Sequence, residues 1–94
     1  MPKIALYKYI VFFIVSLDVL KEPPHLHFTK TKKGRKYSGK IWLQSLEFER
    51  TADFKQHELN LVQKLVRKHQ KQLIELFYKA EKGNIGKPIK LKSR

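Results

Sequence analysis

The sequence predicts a small α+β domain in which an antiparallel sheet of about three strands is covered on one face by a long C-terminal helix. The spacing of the apolar residues indicates this fold. They alternate with polar residues near the middle of the chain, as in half-buried strands, and from Asp53 onward they recur at steps of three and four, as in an amphipathic helix. A chain of 94 residues has room for one domain with a modest core.

The first predicted element lies in the apolar segment from Ile4 to Leu20. Its run of β-branched and aromatic residues, Tyr9 to Val15, favours a buried strand. Lys3 followed by this run imitates a secretory signal, but no small-residue cleavage site follows and Asp18 closes the run. The run is also far shorter than the roughly 20 residues that cross a bilayer. We therefore expect a cytoplasmic protein without a membrane anchor.

A β-hairpin is predicted next, after the chain is broken by the two prolines at 23–24. The segment 25–29 alternates, the basic stretch 30–36 with Gly34 is the predicted loop, and 37–48 is the predicted returning strand. Successive strand residues point to opposite faces. This assigns His25, His27 and Thr29 to one face and Leu26 and Phe28 to the other.

One amphipathic helix is predicted from Asp53 to about residue 81, with Gly83 as its stop signal. Asp53 and Gln56 have the spacing of a capping box. A helix of this length would extend roughly 42 Å, at 1.5 Å per residue, which is more than a small sheet covers. We therefore expect either a break into two helices or a partner on the distal half, such as a second copy forming a homodimer.

The net charge of +13 is concentrated in two short stretches. Residues 29–40 carry six bases and no acid, and residues 82–94, the predicted basic tail beyond the 1–81 domain, carry five bases and no acid. Such stretches can bind the phosphates of RNA or DNA. The alternative is that the first is a solubilising turn and the second a frayed tail. For the tail, both a mobile arm and an added edge strand stay open. The candidate nucleic-acid-binding residues are Lys30, Lys32, Lys33, Arg35, Lys36, Lys40, Lys87, Lys90, Lys92 and Arg94.

His25 and His27 are the candidate catalytic residues. On one strand face, two imidazoles can act as acid and base on a phosphodiester, which would make the protein a ribonuclease with Lys32, Lys33 and Arg35 holding phosphate. Two alternatives stay open: a metal site, for which Glu22 is the nearest acid, and histidines that simply pack and hydrogen-bond. The absence of cysteine and of a phosphate-cradling glycine loop indicates no cofactor, and no complete metal-ligand set is assigned.

Three other aromatic or imidazole side chains have less specific roles. Trp42 is expected to anchor the core against the helix, with stacking on a nucleic-acid base as the alternative. His69 lies on the apolar stripe and is expected to be a satisfied packing residue. His57, near the helix start, is expected to face solvent.

The block Glu22 to Phe28 (EPPHLHF), with Lys40 to Leu43 (KIWL) and Phe54 to Leu59 (FKQHEL) after it, resembles a family of short bacterial proteins, domain of unknown function 4160. The resemblance covers about residues 2–80, and its PPHLH part is the most specific. It implies an intracellular component of a toxin-antitoxin pair, with a cognate protein partner encoded nearby. It supplies no catalytic residue.

This chain departs from the family pattern at two places. Lys55 stands where a serine is common, which moves the expected helix cap to Asp53 or Thr51. The basic residues of 82–94 lie beyond the pattern, so the expectation of nucleic-acid binding depends on this chain's own charge. The alternatives are a non-enzymatic module whose helix face and sheet edge bind the cognate protein, and a histidine-based metal-binding protein.

Overall fold

Six strands form one sheet, and two consecutive helices pack against it. The computed structural model describes residues 3–14, 22–51, 53–84 and 86–92. In chain order, the elements are β1 (Lys3–Tyr7), β2 (Ile10–Phe13), β3 (His25–Lys32), β4 (Arg35–Trp42), β5 (Phe48–Arg50), α1 (Gln56–Lys68), α2 (Gln70–Glu81) and β6 (Ile89–Lys90). The strand order is β5-β4-β3-β2-β1-β6, antiparallel except for the parallel pair β1 and β6. The α+β class is confirmed, whereas about three strands was an underestimate.

The first apolar segment forms two strands where a single one was predicted. Lys8 has a left-handed backbone with φ of 51° and starts the turn between β1 and β2. Because its charge interrupts the apolar run, Lys8 is a favourable residue for this solvent-exposed turn. Residues 15–21, the rest of the apolar segment, lie outside the described part of the chain.

The central hairpin of β3 and β4 is longer and tighter than predicted. The strands pair over eight residues each, from His25 opposite Trp42 to Lys32 opposite Arg35. Lys33 and Gly34 alone form the turn, with φ of 51° and 76°. Two consecutive left-handed residues are typical of the type I′ turn, whose twist matches that of the flanking strands. The predicted loop at 30–36 was therefore too long, because β3 continues to Lys32 and β4 begins at Arg35.

Ring contacts confirm the predicted division of β3 into two faces at Phe28 and His27, whereas the ring of His25, at the start of the strand, also contacts the core residue Phe77. The Phe28 ring lies 4.8 Å from that of Phe54, on the side of the main core. The His27 ring stacks on that of Phe13 at 5.4 Å, on the opposite side. The core on the Phe28 side is completed by buried residues of the helices, namely Val62, Leu65, Val66, Leu73 and Phe77.

The single long helix of the prediction is two helices, and the break, one of the two expected alternatives, occurs at His69, whose φ of −107° and ψ of 17° interrupt the helical backbone. Gly83, with φ of 81°, follows the end of α2 as predicted. Both halves bury apolar residues within the chain, so the excess length no longer argues for a homodimer. Neither described helix is long and apolar enough to cross a membrane.

The C-terminal segment adds an edge strand to the sheet. Ile89 and Lys90 pair with β1 in parallel, and the N–H of Leu91 donates to the carbonyl of Leu6 at 2.8 Å. The Nε2 atom of His69 lies 3.2 Å from both the backbone N and O of Lys92. Of the two alternatives for this segment, the edge strand is the one observed, and His69 is a satisfied packing residue as expected.

A Gly39→Ala substitution should destabilise the fold, because the Phe28 ring lies directly over Gly39. A Cβ there would come within 2.4 Å of Phe28 Cζ and 2.7 Å of the Arg50 carbonyl oxygen. Relieving this overlap should lower the free energy of unfolding by about 1–3 kcal/mol, measured by urea denaturation. Gly86→Ala, where a Cβ meets nothing within 4 Å, is the matched control and should change stability by less than about 0.5 kcal/mol. Equal effects of the two substitutions would contradict this account.

Candidate functional site

Lys30 lies buried in the chain beneath the start of α1. Its Nζ donates to Oε1 of Glu58 at 2.5 Å and lies 4.7 Å from the centre of the Phe54 ring. Glu58 also accepts hydrogen bonds from the Tyr9 hydroxyl at 3.0 Å and the Lys55 backbone N–H at 2.9 Å. The bond from Lys55 makes that residue the helix cap, so the predicted cap at Asp53 or Thr51 was wrong.

The pKa of the Glu58 carboxyl is lowered to about 2 by this arrangement. Burial alone raises its pKa, but the hydrogen bonds from Lys30, the Lys55 backbone and Tyr9 outweigh that effect. Glu58 therefore stays ionised throughout the neutral range. Its negative charge neutralises Lys30.

Lys40 is the second buried lysine of the hairpin, only 4% exposed. Its Nζ donates to Glu22 at 2.6 Å and pairs with Glu49 at 2.9 Å, while lying 4.5 Å from the Trp42 ring centre. Burial alone lowers the pKa of Lys40, but the bonds to both carboxylates outweigh it and raise the pKa overall. The centre of the Trp42 ring also lies 5.5 Å from that of His25. The described ring contacts of Trp42 are therefore with Lys40 and His25, both residues of the hairpin.

His25 and His27 are buried, with exposures of 0% and 6%. The Nδ1 atom of His25 lies 2.9 Å from the Pro23 carbonyl oxygen, and because that oxygen only accepts, the proton belongs on Nδ1. The His25 ring packs 5.4 Å from those of both His27 and Phe77. The pair is therefore closely spaced, but it is packed among aromatic rings rather than presented to solvent.

The described residues contain no group of three or more His, Asp, Glu or Cys side chains placed to hold a metal ion.

The exposed cations of the hairpin are Lys33, Arg35 and Lys36, which surround the turn. None of them takes part in the ion pairs formed among the described residues. Neither β3 nor β4 contains an acidic residue. Lys32 belongs to β3, and its side chain lies outside the described part of the structure. The tip of the hairpin is thus an uncompensated positive surface.

The basic residues of the C-terminal segment lie apart from those of the hairpin. Lys87, Lys90 and Lys92 are exposed, on and around the edge strand β6. In the sheet, β6 is separated from the hairpin by β1 and β2. Arg94 lies outside the described residues. The ten predicted binding residues therefore do not form one cluster.

Two open cavities meet at Thr31, on the hairpin stem. The first, of about 320 Å³, lies on the open sheet face and is lined by Lys3, Val11, Phe13, Thr29, Thr31 and Lys36. The second, of about 350 Å³, lies between the β1–β2 turn and α1 and is lined by Tyr9, Lys30, Thr31, Lys55, His57 and Glu58. Thr31 lines both cavities and lies two residues before the turn, so we take the two cavities and the hairpin tip together as the candidate site.

Sequence reasoning missed several residues of this site. Lys3, Tyr9, Thr31 and Lys55 were not predicted to line a site: Lys3 and Lys55 were noted for other reasons, and Tyr9 and Thr31 for their place in a predicted strand or loop only. Glu58 was noted only within the FKQHEL block, although a glutamate three residues after the cap is a signal for a capping carboxylate. His57 is exposed, as predicted, and lines the second cavity.

The fold and the site define a small α+β protein with an uncompensated basic hairpin and two adjoining cavities. A family model described as Domain of unknown function (DUF4160) matches residues 9–77, which is more than half of the chain. The chain belongs to this family. The match includes the hairpin, all of α1 and two thirds of α2, whereas β1 and β6 lie outside it. Comparisons with curated proteins and with solved structures found no match.

Replacing both residues of the buried ion pair, Lys30 and Glu58, should remove a pH-dependent contribution to the free energy of unfolding. Because the pKa of Glu58 falls from 4.5 to about 2 on folding, its contribution is full above pH 4.5 and is lost as the pH falls toward 2. The double variant Lys30→Met/Glu58→Gln should therefore lose less stability than the wild type between pH 5 and 2, in urea titrations at each pH. Parallel curves would contradict this assignment. Glu58→Gln alone, which leaves Lys30 buried without its counter-charge, should cost about 3–5 kcal/mol at pH 7.

Proposed function

We propose that this protein binds nucleic acid without cleaving it, by contacting the phosphate backbone through the hairpin tip and the sheet groove beside it. The observation that carries this proposal is the division of the hairpin lysines into two classes. Lys30 and Lys40 are buried and neutralised by internal carboxylates, whereas Lys33, Arg35 and Lys36 are exposed around a rigid two-residue turn. Internal salt bridges therefore do not account for the exposed charges.

The groove on the open sheet face extends the same surface. Lys36 and Lys3 both line it, together with the threonine side chains at 29 and 31. Hydroxyls and lysines are common partners of phosphate and sugar oxygens, and such contacts carry little sequence information. A backbone following this groove from the hairpin tip would meet the cations of Lys36 and Lys3 and the exposed Thr31, whereas the buried Thr29 hydroxyl already donates to the Tyr37 carbonyl.

Acid-base chemistry at the histidines is a weaker proposal. A proton donor or acceptor in cleavage needs to come within hydrogen-bond reach of the substrate. His25 is fully buried and His27 nearly so, and both are packed among aromatic rings. We therefore assign these histidines to packing and propose binding rather than ribonuclease activity.

A toxin-antitoxin role belongs to the same proposal. A cognate protein that controls this chain would compete with nucleic acid for the basic hairpin, and such a partner needs an acidic surface to do so. Co-purification of the protein encoded nearby, with release of bound nucleic acid on complex formation, supports this role. A stable complex that still binds nucleic acid with unchanged affinity would contradict it.

The hairpin proposal is tested with two variants of equal charge. Lys33→Asn/Arg35→Gln/Lys36→Gln removes three charges at the hairpin, with asparagine chosen because it tolerates the left-handed turn position. The matched control, Lys64→Gln/Arg67→Gln/Lys68→Gln, removes three exposed charges from α1. Fluorescence anisotropy with labelled RNA and DNA should show weaker binding for the hairpin variant only. It should also flatten the slope of log K against log salt by about 2 to 3, since each lost phosphate contact removes about 0.7–0.9. Equal losses of affinity in both variants would show that binding depends on the net charge and not on the hairpin.

Replacing His27 by phenylalanine tests the assignment of the histidines. His27→Phe keeps an aromatic ring stacked on Phe13 but removes the ionisable group. We expect affinity for RNA equal to that of the wild type, and intact RNA after incubation with either protein. His27→Ala, which also removes the ring, should instead lower stability by about 2–5 kcal/mol. RNA cleavage by the wild type that is lost in His27→Phe would restore the ribonuclease hypothesis.

A further inference from the structure

Tyr9 combines exposure with a fixed position, which is unusual for a surface tyrosine. Its side chain is 51% exposed, yet its hydroxyl donates to Oε2 of Glu58 at 3.0 Å. Glu58 is itself held by Lys30 and by the Lys55 backbone N–H. The phenol ring is therefore anchored at its polar end to a buried ion pair, while the rest of the ring remains accessible at the wall of the 350 Å³ cavity.

The hydroxyl of Tyr9 stays protonated at neutral pH, which keeps this anchor in place. Partial burial, followed by the hydrogen bond to Glu58, raises the pKa of Tyr9 above its ordinary value of 10.0. An aromatic ring whose position is fixed before binding loses little conformational entropy when a ligand stacks on it. The ring is thus prepared for a planar ligand.

The charges around the cavity favour an anionic ligand. Lys30 and Glu58 cancel each other, while Lys55 and His57 are exposed at the cavity wall. Thr31 connects the cavity to the hairpin, where Lys33 follows two residues later. A ligand with one flat ring and a phosphate on each side matches the exposed aromatic face and the exposed lysines, Lys55 at the cavity wall and Lys33 at the hairpin turn. The volume of the cavity, about 350 Å³, also falls within the roughly 300–1,000 Å³ range of small-molecule pockets.

We infer that this cavity binds one unpaired base of a single-stranded nucleic acid, stacked on the ring of Tyr9, with the flanking phosphates near Lys55 and the hairpin. This inference rests on the proposed function and adds to it a preference for single strands. A base within a duplex is already stacked between its neighbours and does not reach the ring, whereas an unpaired base is free to do so.

The test compares two substitutions of Tyr9 on two probes. The probes are a fluorescein-labelled 12-nucleotide oligouridylate and a labelled RNA duplex of the same length. Tyr9→Leu removes the aromatic face, and Tyr9→Phe removes only the hydroxyl and its bond to Glu58. Tyr9→Leu should weaken binding of the single strand by about 5- to 150-fold, the range expected for one stacked base, and leave the salt slope and duplex binding unchanged. Tyr9→Phe should bind the single strand less tightly than the wild type but more tightly than Tyr9→Leu, because it keeps the stacking face and loses only the bond that fixes the ring.

Two outcomes would overturn the inference alone, and a third would show that the proposed function itself fails. Unchanged single-strand binding by Tyr9→Leu, together with weakened binding by the hairpin variant, rejects the stacking site and leaves the hairpin proposal intact. Equal losses on single strand and duplex assign Tyr9 a structural role only. If the wild type binds neither probe at low salt, the proposed function itself fails.

A crosslinking measurement on the wild type keeps the inference testable if the Tyr9 variants fold poorly. An oligouridylate carrying 5-iodouridine forms photocrosslinks to aromatic side chains that stack on the base. Mass spectrometry should locate the crosslink on the peptide that contains Tyr9. Crosslinks confined to peptides elsewhere in the chain would overturn the inference.

Discussion

The buried ion pair of Lys30 and Glu58 is the interaction on which the rest of the structure depends. It joins the middle of the sheet to the first turn of α1, and the same carboxylate holds the β1–β2 turn through Tyr9 and caps the helix through Lys55. A buried pair of this kind adds little net stability compared with apolar residues, but losing one partner is costly because the other charge remains buried. The pair therefore determines where the helix begins relative to the sheet more than how stable the domain is.

This arrangement also changes the meaning of the net charge. Two of the lysines in the basic stretch 29–40 pair with carboxylates of the same chain: Lys30 pairs with the buried Glu58, and Lys40 pairs with the partly exposed Glu22 and Glu49, so three of the eight acidic residues serve that purpose. The remaining surface is consequently more one-sided in sign than the composition suggests. Long-range attraction of a polyanion depends on this exposed excess, and the buried pairs contribute almost nothing to it.

Much of the fold was predictable because the spacing of apolar residues along the sequence indicates which faces of the strands and helices are buried. The faces of Phe28 and His27 followed from alternation, the stop at Gly83 followed from a glycine after the last apolar position, and a break was one of two outcomes expected from the helix length. Strand parity even places Lys30 on the same face as Leu26 and Phe28, and hence in the core, but a lysine within a basic run is readily taken for a loop residue. The contacts of Lys30 were not predictable, since its partner lies 28 residues away and depends on how α1 docks. The same holds for the cavity at Tyr9, which is assembled from three separate segments.

The most specific sequence motif of the family has a structural explanation that leaves the candidate site elsewhere. Within PPHLH, the Pro24 carbonyl accepts the Leu43 N–H at 3.0 Å and the Pro23 carbonyl accepts a hydrogen bond from His25. These bonds fix the start of β3 against the end of β4. Once that end of the hairpin is anchored, the paired strands carry the turn at the opposite end, with its exposed cations, in a defined position. The PPHLH motif thus anchors one end of the hairpin, while the turn with its exposed cations lies eight residues further along, after the end of β3.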